Sequence, residues 1–224
     1  MSRLRGIAIV AVALAFFAAA RSASAAPVTN FGNIVGVTLA TTGDMVFSLN
    51  SGTVTGVVRE DVILDSASGK LDFLYQLKNV TSVGGDELEL LTGSNFKTYF
   101  TAIGIAYDPT NVSGGYNFSN SLDATFTPPL LSPDSVNESV AGVANFHFID
   151  NAIPSGSSSV ILVVKTSATS YGGGSIFIQD GGNVTLSGFA PAPLPATANM
   201  GLVLLLGLGG IGGIRKMRAI RAVA

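Results

Sequence analysis

Clusters of turn-forming residues cut the middle of this chain at short intervals. Asn50-Ser-Gly, Ser68-Gly-Lys, Gly84-Gly-Asp, Ser113-Gly-Gly, Pro128-Pro, Gly172-Gly-Gly and Asp180-Gly-Gly-Asn supply the positive-φ or fixed-φ residues that tight turns demand. The segments between them are short and several carry a period of two. Leu71, Phe73, Tyr75 and Leu77 fall on one side of an extended chain, with Asp72, Gln76 and Lys78 on the other. Ala144–Phe148 and Asn183–Gly188 alternate in the same way. Val160–Val164 is continuously apolar and of the length expected for a strand buried on both faces. Ile34–Ala40, Met45–Leu49, Thr53–Arg59, Leu88–Leu91, Thr98–Tyr107, Leu122–Phe126 and Ser175–Gln179 complete the set. About ten short strands with this punctuation predict a mainly β fold, an antiparallel β-sandwich of jelly-roll-like kind. A membrane β-barrel fits less well, because the turns do not alternate between short and long.

The two ends differ from this middle. Arg3 and Arg5 precede an uncharged apolar run, Gly6–Ala20, and Ala23-Ser-Ala25 follows as a small-x-small cleavage site. That order predicts a secretory signal peptide over residues 1–25, with Ala23, Ala25 and Ala26 bracketing the cut. At the other end Met200–Ile214 is fifteen residues without a charge. As a helix it would span roughly 22 Å, and extended back to Ala196 roughly 28 Å, against a bilayer core of about 30 Å. A transmembrane helix over 196–214 is therefore expected, short for its task. Prolines 191, 193 and 195 stop it from extending backwards. Arg215, Lys216, Arg218 and Arg221 hold its end on the cytoplasmic side. A buried core helix would need a polar face, which this run lacks. Gly209-x-x-x-Gly213 has the spacing of a helix-packing face, although six glycines in this run produce such spacings easily. The chain thus divides into a leader, a β body over residues 26–190 and a tail over residues 191–224.

The tail's order is Pro193-Leu194-Pro195-Ala196, then a glycine-rich apolar span, then Arg215, Lys216 and Arg218. It resembles a PEP-CTERM sorting signal, and more closely its VPLPA-type variant. Leu194 stands where the commoner form has Glu, and Ala192 where the variant has Val. The resemblance implies recognition and cleavage by an exosortase, a membrane transpeptidase-like enzyme of Gram-negative bacteria that make exopolysaccharide. The strand series from Thr53 to Tyr107 is similar, more loosely, to ectodomains that accompany such tails, which implies no activity.

Charge is segregated along the chain. Seven of the twelve basic residues lie in leader and tail, and all fourteen acidic residues lie between 44 and 180. The body therefore carries five basic against fourteen acidic residues, a net charge of −9, although the whole chain is −2. Nucleic acid is excluded as a partner, since it requires basic patches. The absence of cysteine excludes disulfides, thiol catalysis and Cys-ligated metals. About 165 residues remain for the body, enough for one domain with its own core.

Candidates for chemistry are few. His147, the single histidine, lies between Phe146 and Phe148; if these face the core, it faces outward. It lacks the neighbouring nucleophile and acid that catalysis would need. Two carboxylate groups, Glu60/Asp61/Asp65 and Asp86/Glu87/Glu89, adjoin turn signals and read as solvated turn charges, with calcium as the alternative. Neither follows the EF-hand spacing. The glycine clusters at 172–174 and 181–182 read as hairpin turns, not phosphate cradles. Five Asn-x-Ser/Thr sequons mark polar segments only.

The expectation is a non-enzymatic exported protein without a cofactor, held transiently at the inner membrane, then released to the cell surface or extracellular matrix with exopolysaccharide as partner. A calcium-dependent carbohydrate-binding or adhesive module is the alternative. A glycan-acting hydrolase comes third, for want of a catalytic set.

Overall fold

The computed structural model describes residues 28–32, 34–83, 87–106 and 130–193. The leader, the Leu122–Phe126 strand, the span over 196–214 and its basic end lie outside them. The described residues are mainly β and contain fourteen strands and one short 3-10 turn (Asn50–Gly52). In chain order these are β1 (Thr29–Asn30), β2 (Gly36–Thr41), β3 (Met45–Leu49), β4 (Val54–Asp65), β5 (Leu71–Ser82), β6 (Leu90–Gly93) and β7 (Phe100–Ala106). They continue with β8 (Leu130–Leu131), β9 (Ser135–Glu138), β10 (Ala144–His147), β11 (Ser158–Ser159), β12 (Ile161–Thr166), β13 (Tyr171–Asp180) and β14 (Gly182–Pro191).

Two sheets result. The larger has nine strands, with β4, β5, β12 and β7 side by side at its centre. The smaller has five in the order β14-β13-β6-β10-β9, antiparallel throughout. The larger sheet is mixed, which corrects the purely antiparallel expectation. The short β1 lies parallel to β7, and β11 parallel to β8. Both are two-residue pairings made by chain passing the sheet margin, so no periodic pattern announces them.

The alternation in β5 builds the core as expected. Leu71, Phe73, Tyr75 and Leu77 join Val54, Val58 and Val62 of β4, Leu91 of β6, Phe146 of β10 and Ile176 and Ile178 of β13 in one apolar cluster shared by both sheets. Phe73 stacks edge-on against Phe96 at 5.1 Å between ring centres. The other face of β5 is buried too, contrary to the half-solvated reading. Leu74 meets Ile63, Ala106, Ile161 and Val163, with Ile34 and Phe31 laid over them. This double burial explains why Val160–Val164 has no polar alternation.

Two turn readings fail. Strand β4 does not stop at Arg59 but runs on through Glu60 and Asp61 to Asp65. The chain there is held on both sides, by β5 along its full length and by β2 and β3 on the other edge. Gly172–Gly174 is likewise not a turn but strand, paired with Gly188–Ala190. Glycine is required at 174 for closeness: a Cβ there would sit 2.4 Å from the Phe189 carbonyl oxygen. The hairpin turn predicted at Asp180-Gly-Gly is present, with Gly181 at φ +56°.

Candidate functional site

Among the described residues three places hold the polar groups that could carry function. The first is the outward face of the five-stranded sheet. The register of β10 alternates Phe146, fully buried, with His147, half-buried. His147 therefore turns away from the core, as its flanking phenylalanines predict. It does not stand alone. His147 Nε2 and Asn137 Nδ2 are 3.0 Å apart, Asn145 Nδ2 donates to Asn137 Oδ1 at 2.7 Å, and Thr92 Oγ1 donates to Asn145 Oδ1 at 2.9 Å. The result is a ladder of uncharged polar side chains across β6, β10 and β9. Each amide is fixed by its neighbours, so the face presents oriented donors and acceptors without rotamer freedom to lose. No nucleophile or carboxylate joins this hydrogen-bonded chain. Thr92, Asn137 and Asn145 escape a sequence reading, because only the strand register brings them together.

The second place is β4. Glu60, Asp61 and Asp65 were expected as one group of solvated turn charges. Strand geometry separates them. Glu60 points between the sheets and Asp61 to the opposite face, both fully buried. Asp65 caps the β4–β5 turn, its oxygens accepting the Ala67 and Ser68 amides at 3.1 and 3.2 Å. Burial pulls against these bonds, but the bonds and Lys165 prevail and hold Asp65 below the usual carboxylate range.

Glu60 behaves in the opposite sense. Burial pushes its carboxyl up to about 8, although the Phe189 amide donates to Oε2 at 2.7 Å. Tyr75, directly opposite on β5, is also fully buried, and burial with the adjacent Glu60 raises its hydroxyl well above the usual value. Glu60 Oε1 and the Tyr75 hydroxyl couple electrostatically without the geometry of a formed hydrogen bond. At neutral pH Glu60 is thus a neutral acid inside the core. Asp61 is raised by burial, with Thr41 and Arg59 opposing, and Arg59 in turn pairs with Asp44. Asp72 is pushed up to about 6 by burial, against the opposing pull of Lys165 at 3.5 Å. These acids lie on different faces or apart along the strands. Among the described residues no group of three or more His, Asp or Glu side chains is placed to hold a metal ion. Asp86 lies outside the described residues; Glu87 and Glu89 flank Leu88, whose backbone bridges to Ile153.

The third place is the end of β14. Pro191 is the strand's last residue, opposite Tyr171. One residue on, the Ala192 amide donates to the Ser170 carbonyl at 3.0 Å, and Ser170 Oγ donates to the Ala192 carbonyl at 2.6 Å. Pro193 follows, exposed. A cavity of about 290 Å³, lined by Tyr99, residues 167–170, Ala192 and Pro193, lies at this junction. Of the residues predicted for leader cleavage and tail sorting only Pro193 falls within the described residues. Leu194, Pro195, Ala196, Arg215, Lys216 and Arg218, and Ala23, Ala25 and Ala26 of the leader, lie outside. No described helix is long and apolar enough to cross a membrane.

No family model, curated protein or solved structure matches this chain.

Proposed function

We propose that this chain is an exported surface or extracellular-matrix protein, delivered by its leader and sorted through its tail by an exosortase-type enzyme. The observation that carries the reading is the junction at Ala192. Among the described residues the last hydrogen bonds to the body are made by Ala192, and the Pro193-Leu-Pro-Ala motif begins at the next residue. Cutting within the motif would therefore leave β14, which ends at Pro191, whole. The apolar span and basic end hold that motif near the membrane until cutting. Exopolysaccharide is the partner implied by the tail's resemblance. We also read the two sheets as a jelly-roll-like sandwich, supported by their shared apolar cluster.

Substituting Pro193 and Pro195 with alanine in the full chain tests the sorting reading. The secreted form should disappear and the unprocessed chain accumulate in the membrane fraction. Unchanged release would count against it.

The Thr92–Asn145–Asn137–His147 ladder favours one second reading, a carbohydrate-binding module. Neutral, oriented amides suit sugar hydroxyls better than charged ligands. Retardation of the protein in gels containing the host exopolysaccharide, with or without calcium, tests it; equal mobility in all gels argues against it.

A further inference from the structure

Ten large apolar side chains are exposed among the described residues, and six of them crowd the end of the body from which the tail departs. Val37 lies opposite Leu64 across β2 and β4, and Val35 accepts the Ser66 amide from the adjoining turn. The Tyr171 hydroxyl donates to the Leu39 carbonyl at 3.3 Å, and Tyr171 itself sits opposite Pro191. Val140, 98% exposed, tips the β9–β10 turn at the same end, where Gly142 accepts the Phe96 amide. Val80, Val83 and Ile149 are exposed toward the opposite end, where the Val83 amide donates to the Thr53 carbonyl and Ile149 adjoins Asp150, and Val46 lies opposite Val57 on β3.

Charge follows the same axis. At the tail end Lys70, Lys97 and Lys165 balance Asp65, Asp72 and Glu138. The register puts Glu138 opposite Ala144, Lys165 opposite Asp72, and Lys97 against Gly142. At the other end the acids are Glu87, Glu89, Asp134, Asp150 and Asp180, with Lys78 the nearest described base. The Glu89 amide bonds to Gln179, and Asp134 bonds to the Asp150 and Asn151 amides. Although the body is acidic as a whole, its tail end is balanced in charge among the described residues and rich in exposed apolar side chains.

We propose that this end is a lipid-contacting face, with Val35, Val37, Leu39, Leu64 and Tyr171 resting in the headgroup region of the bilayer that the tail crosses. The inference rests on reading residues 196–214 as a membrane span. Four residue steps separate Ala192, the last described residue bonded to the body, from Ala196. Even fully extended they reach only about 14 Å, so the apolar end is held at the bilayer surface. Scattered exposed valines need no explanation, but the larger group gathered around an anchor point does. Tyrosine suits the interface, where its ring is apolar and its hydroxyl wet. Anionic headgroups repel the acidic end and do not repel the balanced one, which fixes the orientation. Cleavage of the tail would free the body, because a few apolar side chains without the anchor give only weak, reversible binding.

The chain has no cysteine, so single labels can be introduced without interference. Val37→Cys, Asn183→Cys at the exposed far end of β14, and Leu205→Cys in the tail would each carry an environment-sensitive fluorophore. The full chain is reconstituted into vesicles of phosphatidylethanolamine and phosphatidylglycerol containing a nitroxide quencher either at headgroup depth or at the acyl-chain centre. Severalfold stronger headgroup quenching at residue 37 than at residue 183, together with acyl-chain quenching at residue 205, is the expected result. Acyl-chain quenching at 205 with equal, weak headgroup quenching at 37 and 183 would overturn the lipid-contacting face and leave the span standing. No acyl-chain quenching at 205 would overturn the span, and the face with it. Val35→Cys repeats the test at a second exposed site should the label at 37 disturb folding.

Discussion

Phe189 in β14 donates its backbone amide to Glu60 Oε2 in β4 at 2.7 Å, across 129 residues of chain. β14 is an edge strand, and every second amide of an edge strand points away from its partner. One of these outward amides is taken by a side chain of the other sheet, so the strand that ends two residues before Pro193 is tied to the body's core. The acid that ties it is held neutral by burial.

Stability should therefore fall with rising pH. Glu60 titrates near 8 in the folded chain and near 4.5 when unfolded. Between these values the folded chain keeps a proton that the unfolded chain releases. The contribution is complete below about pH 4.5 and lost as pH rises through about 8. At roughly 1.4 kcal/mol per unit the whole change is on the order of 5 kcal/mol. Melting temperatures of the wild type should drop between pH 5 and pH 9, whereas Glu60→Gln, which keeps an acceptor for Phe189 but cannot ionise, should show a much flatter profile. Parallel profiles would place Glu60 outside the titration.

Asp72 and Lys165 add a second window of the same sign. Asp72 is raised to about 6, so its share is lost as pH rises from about 4 through about 6. Lys165, partly exposed and also lying 5.0 Å from the Phe31 ring centre, limits that loss. Lys165→Met should destabilise by about 1–3 kcal/mol at pH 8 and by less at pH 4. Urea unfolding at the two pH values measures the difference.

Gly188 is a steric requirement of the same contact. A Cβ at this position would lie 2.4 Å from Glu60 Oε2. Gly188→Ala should cost about 1–3 kcal/mol in chemical denaturation. Combined with Glu60→Ala, it should cost less than the sum of the two single changes, because the closest clash is then gone and only the one with Ile176 Cγ1, at 2.9 Å, is left.

The β character of the body was legible because turn signals and period-two apolar patterns report local geometry directly. Leu71, Phe73, Tyr75 and Leu77 sit in the core where alternation put them. Glu60 and Asp61 misled, because adjacent acids next to Arg59 look like a solvated turn, and only pairing on both edges of β4 carries them inside. Gly172–Gly174 misled for a related reason: the need for glycine comes from Phe189 and its neighbours across the pair, not from a bend. Strand β9, Ser-Val-Asn-Glu, has no strand signature and is set by β10 beside it. The Thr92–Asn145–Asn137–His147 ladder depends wholly on such registers, so no local pattern could reveal it.

That ladder contributes little to folding. Asn145→Ala removes two side-chain hydrogen bonds on a half-exposed face and should cost about 1–2 kcal/mol in thermal melting. If the face binds glycan, the same substitution should abolish retardation in polysaccharide gels while the fold survives.

The intact mass of the protein recovered from the extracellular fraction tests the account most directly. The sorting reading predicts a chain that begins at Ala26 and ends within Pro193–Ala196, having lost the apolar span and the basic cluster at 215–221. A secreted chain that still runs through Ala224 would contradict it.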